Sequence, residues 1–185
     1  MLLLLPLSLL LLGSGAAAGG DAKNFDALAS LQLVAASKEG DLEGAARALT
    51  DGADPDATDS RGFTALMLAG WHGHTTVIKA LVAFGAALDA QNKHWSALAL
   101  ACEGHGTEGA PEGQPGPVGA LLNAGANPML QDANGYTALM RADDPETYKL
   151  VVAAEKKWQA AAAARGEDPE GSKGDAGGPG SKEEL

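Results

Sequence analysis

The chain is 185 residues long, 45% apolar, 20% charged and 4% aromatic, with 25 glycines, nine prolines and one cysteine. That length suits one domain of ordinary size or a small domain with extensions, and a single cysteine excludes an intramolecular disulfide framework. Thirteen basic against 24 acidic side chains leave a net charge of −11, so the surface repels phosphate backbones and nucleic acid is set aside as a partner.

The first element is a leucine run, Met1 to Leu12, broken by Pro6 and Ser8. It falls short of the roughly 20 apolar residues that cross a bilayer, so no stable membrane span is expected. Small residues follow, among them Ala16-x-Ala18. An apolar core ending in such a site is the pattern of a secretory signal peptide, here residues 1–18, although no Lys or Arg precedes the run.

The middle of the chain repeats itself. Gly62-Phe63-Thr64-Ala65-Leu66-Met67-Leu68-Ala69 returns as Gly135-Tyr136-Thr137-Ala138-Leu139-Met140-Arg141-Ala142, with six of eight positions identical, and Trp95 to Ala101 is a third copy. An apolar pair and Gly-Ala follow the copies at 62–69 and 95–101, Leu81-Val82 with Gly85-Ala86 and Leu121-Leu122 with Gly125-Ala126, and Ala48-Leu49 with Gly52-Ala53 shows an earlier copy. Thr64, Ser96 and Thr137 can each cap a first helix, Leu66, Leu98 and Leu139 are the matching core positions, and the glycine ending each second helix suits the left-handed turn of a chain reversal. Such a unit cannot bury its apolar face alone, so stability must come from stacking neighbours.

A period near 33 residues with a turn and two short helices resembles the ankyrin repeat. The residues that carry the likeness are Asp59, Gly62, Thr64-Ala65-Leu66, Gly73-His74, Leu81 and Gly85-Ala86, with their counterparts. The family's Thr-Pro-Leu-His is Thr-Ala-Leu-Met here. The resemblance implies an all-α repeat, a solenoid of helix–turn–helix units with short hairpin fingers, occupying residues 19–164. Four repeats are expected, at about 24–58, 59–91, 92–131 and 132–164. In the first, Asn24 starts a helix with Leu28, Leu31 and Ala35 on one face. The third carries an insertion at 104–117, rich in glycine and proline, which should loop out between its helices. In the fourth, Asp144-Pro145 starts a capping helix with Val151, Ala154 and Trp158 along one stripe and Glu155, Lys156 and Lys157 outside.

Phe63, Trp95 and Tyr136 occupy one repeat position, where the resemblance implies the meeting of finger and concave groove. They form a candidate partner-binding stripe, because Trp and Tyr dominate interface hot spots; packing of each ring on the next finger is the competing reading. Met67, Trp71 and Met140 extend its apolar part, and Arg61, Gln91, Asn92, Lys93, His94, Asp132 and Asn134 form a polar rim. His72, His74, Cys102 and His105 are of the type zinc prefers, but their spacing fixes no tetrahedron, and no metal or cofactor is expected. Cys102 stands where a small core residue is usual. No nucleophile elbow, phosphate-cradling loop or zinc-protease motif occurs, so no catalytic residue is assigned and no enzyme is expected.

The last segment, 165–185, holds six glycines, two prolines and no large apolar residue before Leu185, a composition that cannot support a core. It ends Lys182-Glu183-Glu184-Leu185, which resembles the Lys-Asp-Glu-Leu retrieval signal of endoplasmic-reticulum residents, with Glu183 in place of Asp. Together the two ends predict residence in the endoplasmic reticulum lumen and recognition by a retrieval receptor. The expected function is non-enzymatic binding of a partner protein by groove and fingers. A cytosolic or organelle-targeted adaptor and an acidic ion-buffering lumenal protein are the alternatives.

Overall fold

The computed structural model describes residues 26–92, 94–104 and 116–165. Among these residues seven α-helices occur and no strand: α1 Ala27–Glu39, α2 Leu42–Thr50, α3 Ala65–Trp71, α4 Thr75–Ala83, α5 Ala97–Glu103, α6 Pro117–Ala124 and α7 Pro145–Arg165, with a 3-10 turn at Leu139–Arg141. The first members of successive pairs, α1, α3, α5 and the 3-10 turn, pack on one another in one layer, and α2, α4, α6 and α7 pack in a second. This is the all-α repeat solenoid that the resemblance implies.

Local chemistry places the helix ends. Asp26, Asp41, Thr64 and Ser96 accept from the backbone N–H groups of Ala29, Gly44, Met67 and Ala99 at 2.8, 2.9, 3.1 and 3.2 Å. These bonds satisfy donors that have no partner inside their helices. Gly52, Gly85 and Gly125, after the second helices, take the expected positive φ of 93°, 83° and 101°. The core is aliphatic and small: Leu33, Leu66, Met67, Ile78, Leu81, Leu98, Leu121 and Val151 are buried among many alanines. Repeats approach closely because of glycine; a Cβ on Gly70 of α3 would sit 3.0 Å from the Ala97 carbonyl of α5.

The first and last repeats depart from expectation. Asn24 lies outside the described residues, and the cap of α1 is Asp26. Leu28, Leu31 and Ala35 do share a face, but it is exposed; Ala29, Leu33, Ala36 and Ser37 point inward. Among the described residues, which begin at Asp26, none covers this outward stripe. In the fourth repeat a 3-10 turn replaces the expected first helix, and Thr137 makes no helix cap; instead its carbonyl accepts from Met140 N at 3.1 Å. The reason is length. Thr64 and the next helix cap, His74, stand ten positions apart, whereas Thr137 and Asp144 stand seven apart, and Pro145 closes off continuation. Leu139 is accordingly half-buried beside the core, unlike Leu66 and Leu98.

Asp144 caps α7 as expected, accepting from Glu146 N and Thr147 N at 3.0 and 2.9 Å. Val151 is buried, Ala154 and Trp158 are half-buried, and Lys156 and Lys157 are exposed. Glu155 is not outside; it is half-buried, and burial pushes its carboxyl above the ordinary value. Most of the insertion, residues 105–115, lies outside the described residues. Of its flanks, Gly104 is the C-cap of α5 and Pro117 is the first residue of α6.

Candidate functional site: the hairpin fingers and an arginine clamp

Each finger is built on one short polar side chain. The Asp59 carboxylate accepts from Arg61 N and Phe63 N at 2.9 and 3.0 Å, and Asp132 accepts from Asn134 N and Tyr136 N at 2.8 and 2.9 Å. In the middle finger the Asn92 side-chain oxygen accepts from His94 N and Trp95 N at 3.0 and 2.8 Å. Asp and Asn mimic a backbone turn in this way. The outer fingers need a glycine of positive φ, Gly62 at 83° and Gly135 at 81°. The middle finger is one residue shorter and manages without one.

A second series of bonds secures the finger bases, within the first repeat at Ser30 and across repeat boundaries at Asp56 and Asp89. Ser30 Oγ accepts from Asp54 N at 3.0 Å, Asp56 from Ala87 N at 2.7 Å and Asp89 from Asn127 N at 2.8 Å. Gln91 Nε2 donates to the Gln131 carbonyl at 2.8 Å. Met129 stands where Asp56 and Asp89 stand in their repeats. It offers no carboxylate, and the ladder ends there.

The three aromatic rings are not equivalent. Phe63 is half-buried, with the exposed Arg61 guanidinium 5.0 Å from its ring centroid and 2.9 Å from Asp59. Trp95 is half-buried, and the Arg141 guanidinium lies 3.9 Å from its ring centroid. The same guanidinium is 5.3 Å from Tyr136, 2.7 Å from Glu103 and hydrogen-bonded to Asp132. Arg141 thus gathers two rings and two carboxylates, joining the third repeat (Trp95, Glu103) to the fourth (Asp132, Tyr136). Its side chain is 15% exposed and that of Asp132 2%. One face of Trp95 is therefore occupied from within the protein, which favours a packing role for this ring over a bare contact role.

The remaining predicted contact residues scatter in exposure. Met67 is fully buried, its sulfur accepting from Thr64 N at 3.4 Å, so it offers no surface to a partner. Trp71 and Met140 are 38% and 67% exposed, and Tyr136 is 49% exposed. Arg61, Gln91, His94 and Asn134 are exposed, while Asn92 and Asp132 serve as turn builders. Lys93 lies outside the described residues. Sequence comparison missed Arg141 as a functional centre. The signal was its mismatch: Arg stands where the earlier repeats bury Leu68 and Leu100.

Burial alone would raise the Asp132 carboxyl. The bonds from Tyr136 N, Arg141 and Asn134 N, together with the Arg141 charge, outweigh it and hold the group below its ordinary value of 3.8. A depressed folded value contributes stability that is complete above 3.8 and is lost as pH falls through the folded value. Denaturation of the wild type and Asp132→Asn at about pH 6 and about pH 3 checks this. The wild type is expected to lose more stability than the variant; equal losses would remove Asp132 from the account.

His74 Nε2 lies 3.1 Å from the Lys38 carbonyl, and its ring stacks on His72 at 6.0 Å, so it braces the end of α1. Cys102 is 3% exposed, and burial, reinforced by the Asp144 charge, pushes its thiol up to about 12. It should resist alkylation at neutral pH in the folded protein and react once denaturant is added. Mass spectrometry of iodoacetamide-treated protein reads both states, and rapid native labelling is the contrary result. A shallow cleft of about 510 Å³ lies between the ends of α2 and α4, lined by Leu49, Pro55, Asp56 and Phe84 among others.

Residues 33–111 match the family model for ankyrin repeats, in three copies. No curated protein is significantly similar to the chain. The paired helices and hairpin fingers have the fold of an ankyrin-type repeat solenoid, in agreement with this match over residues 33–111; ankyrin repeats generally bind other proteins and typically carry no enzymatic activity.

Proposed function

We propose that residues 19–164 form a non-enzymatic protein-binding module that acts in the endoplasmic reticulum lumen and contacts its partner through the fingers and the groove beside them. One observation carries the binding role. The three fingers each fold around one short polar side chain, Asp59, Asn92 or Asp132, yet their exposed residues differ: Ser60-Arg61, His94, and Ala133-Asn134. A rigid frame presenting different exposed side chains in a row is the arrangement that recognition loops use. Arg61, His94, Tyr136 and Trp71 are the accessible contacts, with Phe63 and Trp95 as half-buried supports.

The lumenal assignment is supported by the Leu2–Leu12 run, the Ala16-x-Ala18 site and the Lys182–Leu185 tail. Removing the last four residues should release the protein into the culture medium, because a retrieval receptor then has nothing to hold. Intact protein digested by protease added to the cytosolic side would refute the assignment. Proximity labelling from the lumen supplies the partner.

A further inference from the structure

The two ends of the stack carry surfaces that inner repeats hide. Met140 occupies the repeat position of Met67 and Ala99, which are 0% and 3% exposed, yet it is 67% exposed. Tyr148 occupies the position of Ile78 and Val118, both fully buried, and is 51% exposed. With Tyr136 they make an apolar face where a next repeat would stack. At the other end Ala35 takes the position of Leu68 and Leu100 and is exposed, beside Leu31 and Leu28. A repeat array normally ends in polar capping faces, because each repeat is stabilised by its neighbours and bare stacking faces cost solubility.

We propose that the two ends join head to tail, the Leu28, Leu31 and Ala35 face of one copy seating on the Tyr136, Met140 and Tyr148 face of another. Continuity with the interface inside the chain supports this: Tyr136 stands where Trp95 meets the following repeat, and Ala35, flanked by Leu28 and Leu31, stands where Arg141 meets the preceding one. Arg141 of the fourth repeat, at the position of Ala35, reaches back to Trp95 and Glu103 of the third in this sense. The chain's own later segments do not suit the task, since 105–115 has no large apolar residue and 166–185 has none before Leu185. Gln32 stands where Ala65, Ala97 and Ala138 are buried, so the joint closes less tightly than an inner interface and is reversible. Because the two faces differ, the contact is heterologous and continues into open chains.

Sedimentation of the protein as cells produce it, over a wide concentration range, tests this. The wild type should pass from monomer to a rising series of larger species. Leu31→Glu and Met140→Glu lie at exposed positions, so both should keep the wild-type circular dichroism and melting curve. Each alone should remain monomeric, since one face is spoiled in every copy. Mixed in equal amounts, the two should form a dimer of twice the monomer mass and nothing larger. Should either substitution disturb folding, Leu28→Lys and Tyr148→Lys take its place. A wild type that stays monomeric throughout overturns the proposal. Self-association of either variant alone also overturns it, and would point instead to like faces pairing or to the leucine run at residues 1–12 as the adhesive segment.

Discussion

Replacing Arg141 by Ala is expected to destabilise the protein by about 3–5 kcal/mol, the cost of leaving one partner of a buried ion pair uncompensated. The affected partner is Asp132, whose side chain is 2% exposed; Glu103, at 35%, is wet enough to contribute little. The guanidinium also leaves the Trp95 ring, so a double-mutant cycle of Arg141→Ala with Trp95→Ala should return a coupling of about 0.5–2 kcal/mol. Arg141→Leu should cost less than Arg141→Ala. Leucine restores the residue type of Leu68 and Leu100, and Asp132 keeps two backbone donors. Urea unfolding reads all three variants. An unchanged midpoint for Arg141→Ala would show that the fourth repeat does not depend on the clamp.

The second large effect is at Leu98. It is 2% exposed on α5, the inner helix of the third repeat, and lies in the continuous core. Truncation to Ala removes apolar contact and leaves a cavity, for about 2–5 kcal/mol. Because α5 touches α3 on one side and the 3-10 turn on the other, the loss falls on two interfaces at once. Unfolding should become less cooperative, with the fourth repeat separating from the first two. Leu139→Ala should cost distinctly less, since Leu139 is only half-buried. Equal costs at the two positions would contradict the 3-10 turn.

What the sequence made legible was local and periodic. The caps at Thr64 and Ser96, the core positions Leu66 and Leu98, the glycine stops and the Asp144-Pro145 start depend on a few neighbouring residues, and each stands as expected. What escaped were consequences of being first or last. Leu28 and Leu31 read as one apolar face with Ala35, and such a stripe does not say whether a neighbour exists to cover it. Thr137 read as a helix cap because identity with Thr64 outweighed the short count of residues to Pro145. Arg141 went unread because repeat comparison rewards matches, and here the mismatch carried the chemistry. Its partners Trp95, Glu103 and Asp132 come from three separate places in the chain, and only the stacked fold brings them together.

The central claim is that the stack is a frame and the finger tips make the contact. Affinity and melting temperature, measured together for the double variant Arg61→Ala with His94→Ala, test it most directly, using a partner captured by the wild type. Both residues are exposed, and the Arg61–Asp59 pair lies at the surface, so melting should not change. Affinity should fall at least about tenfold, equivalent to about 1.4 kcal/mol. Wild-type affinity in this folded variant would contradict the claim and move the contact away from the fingers.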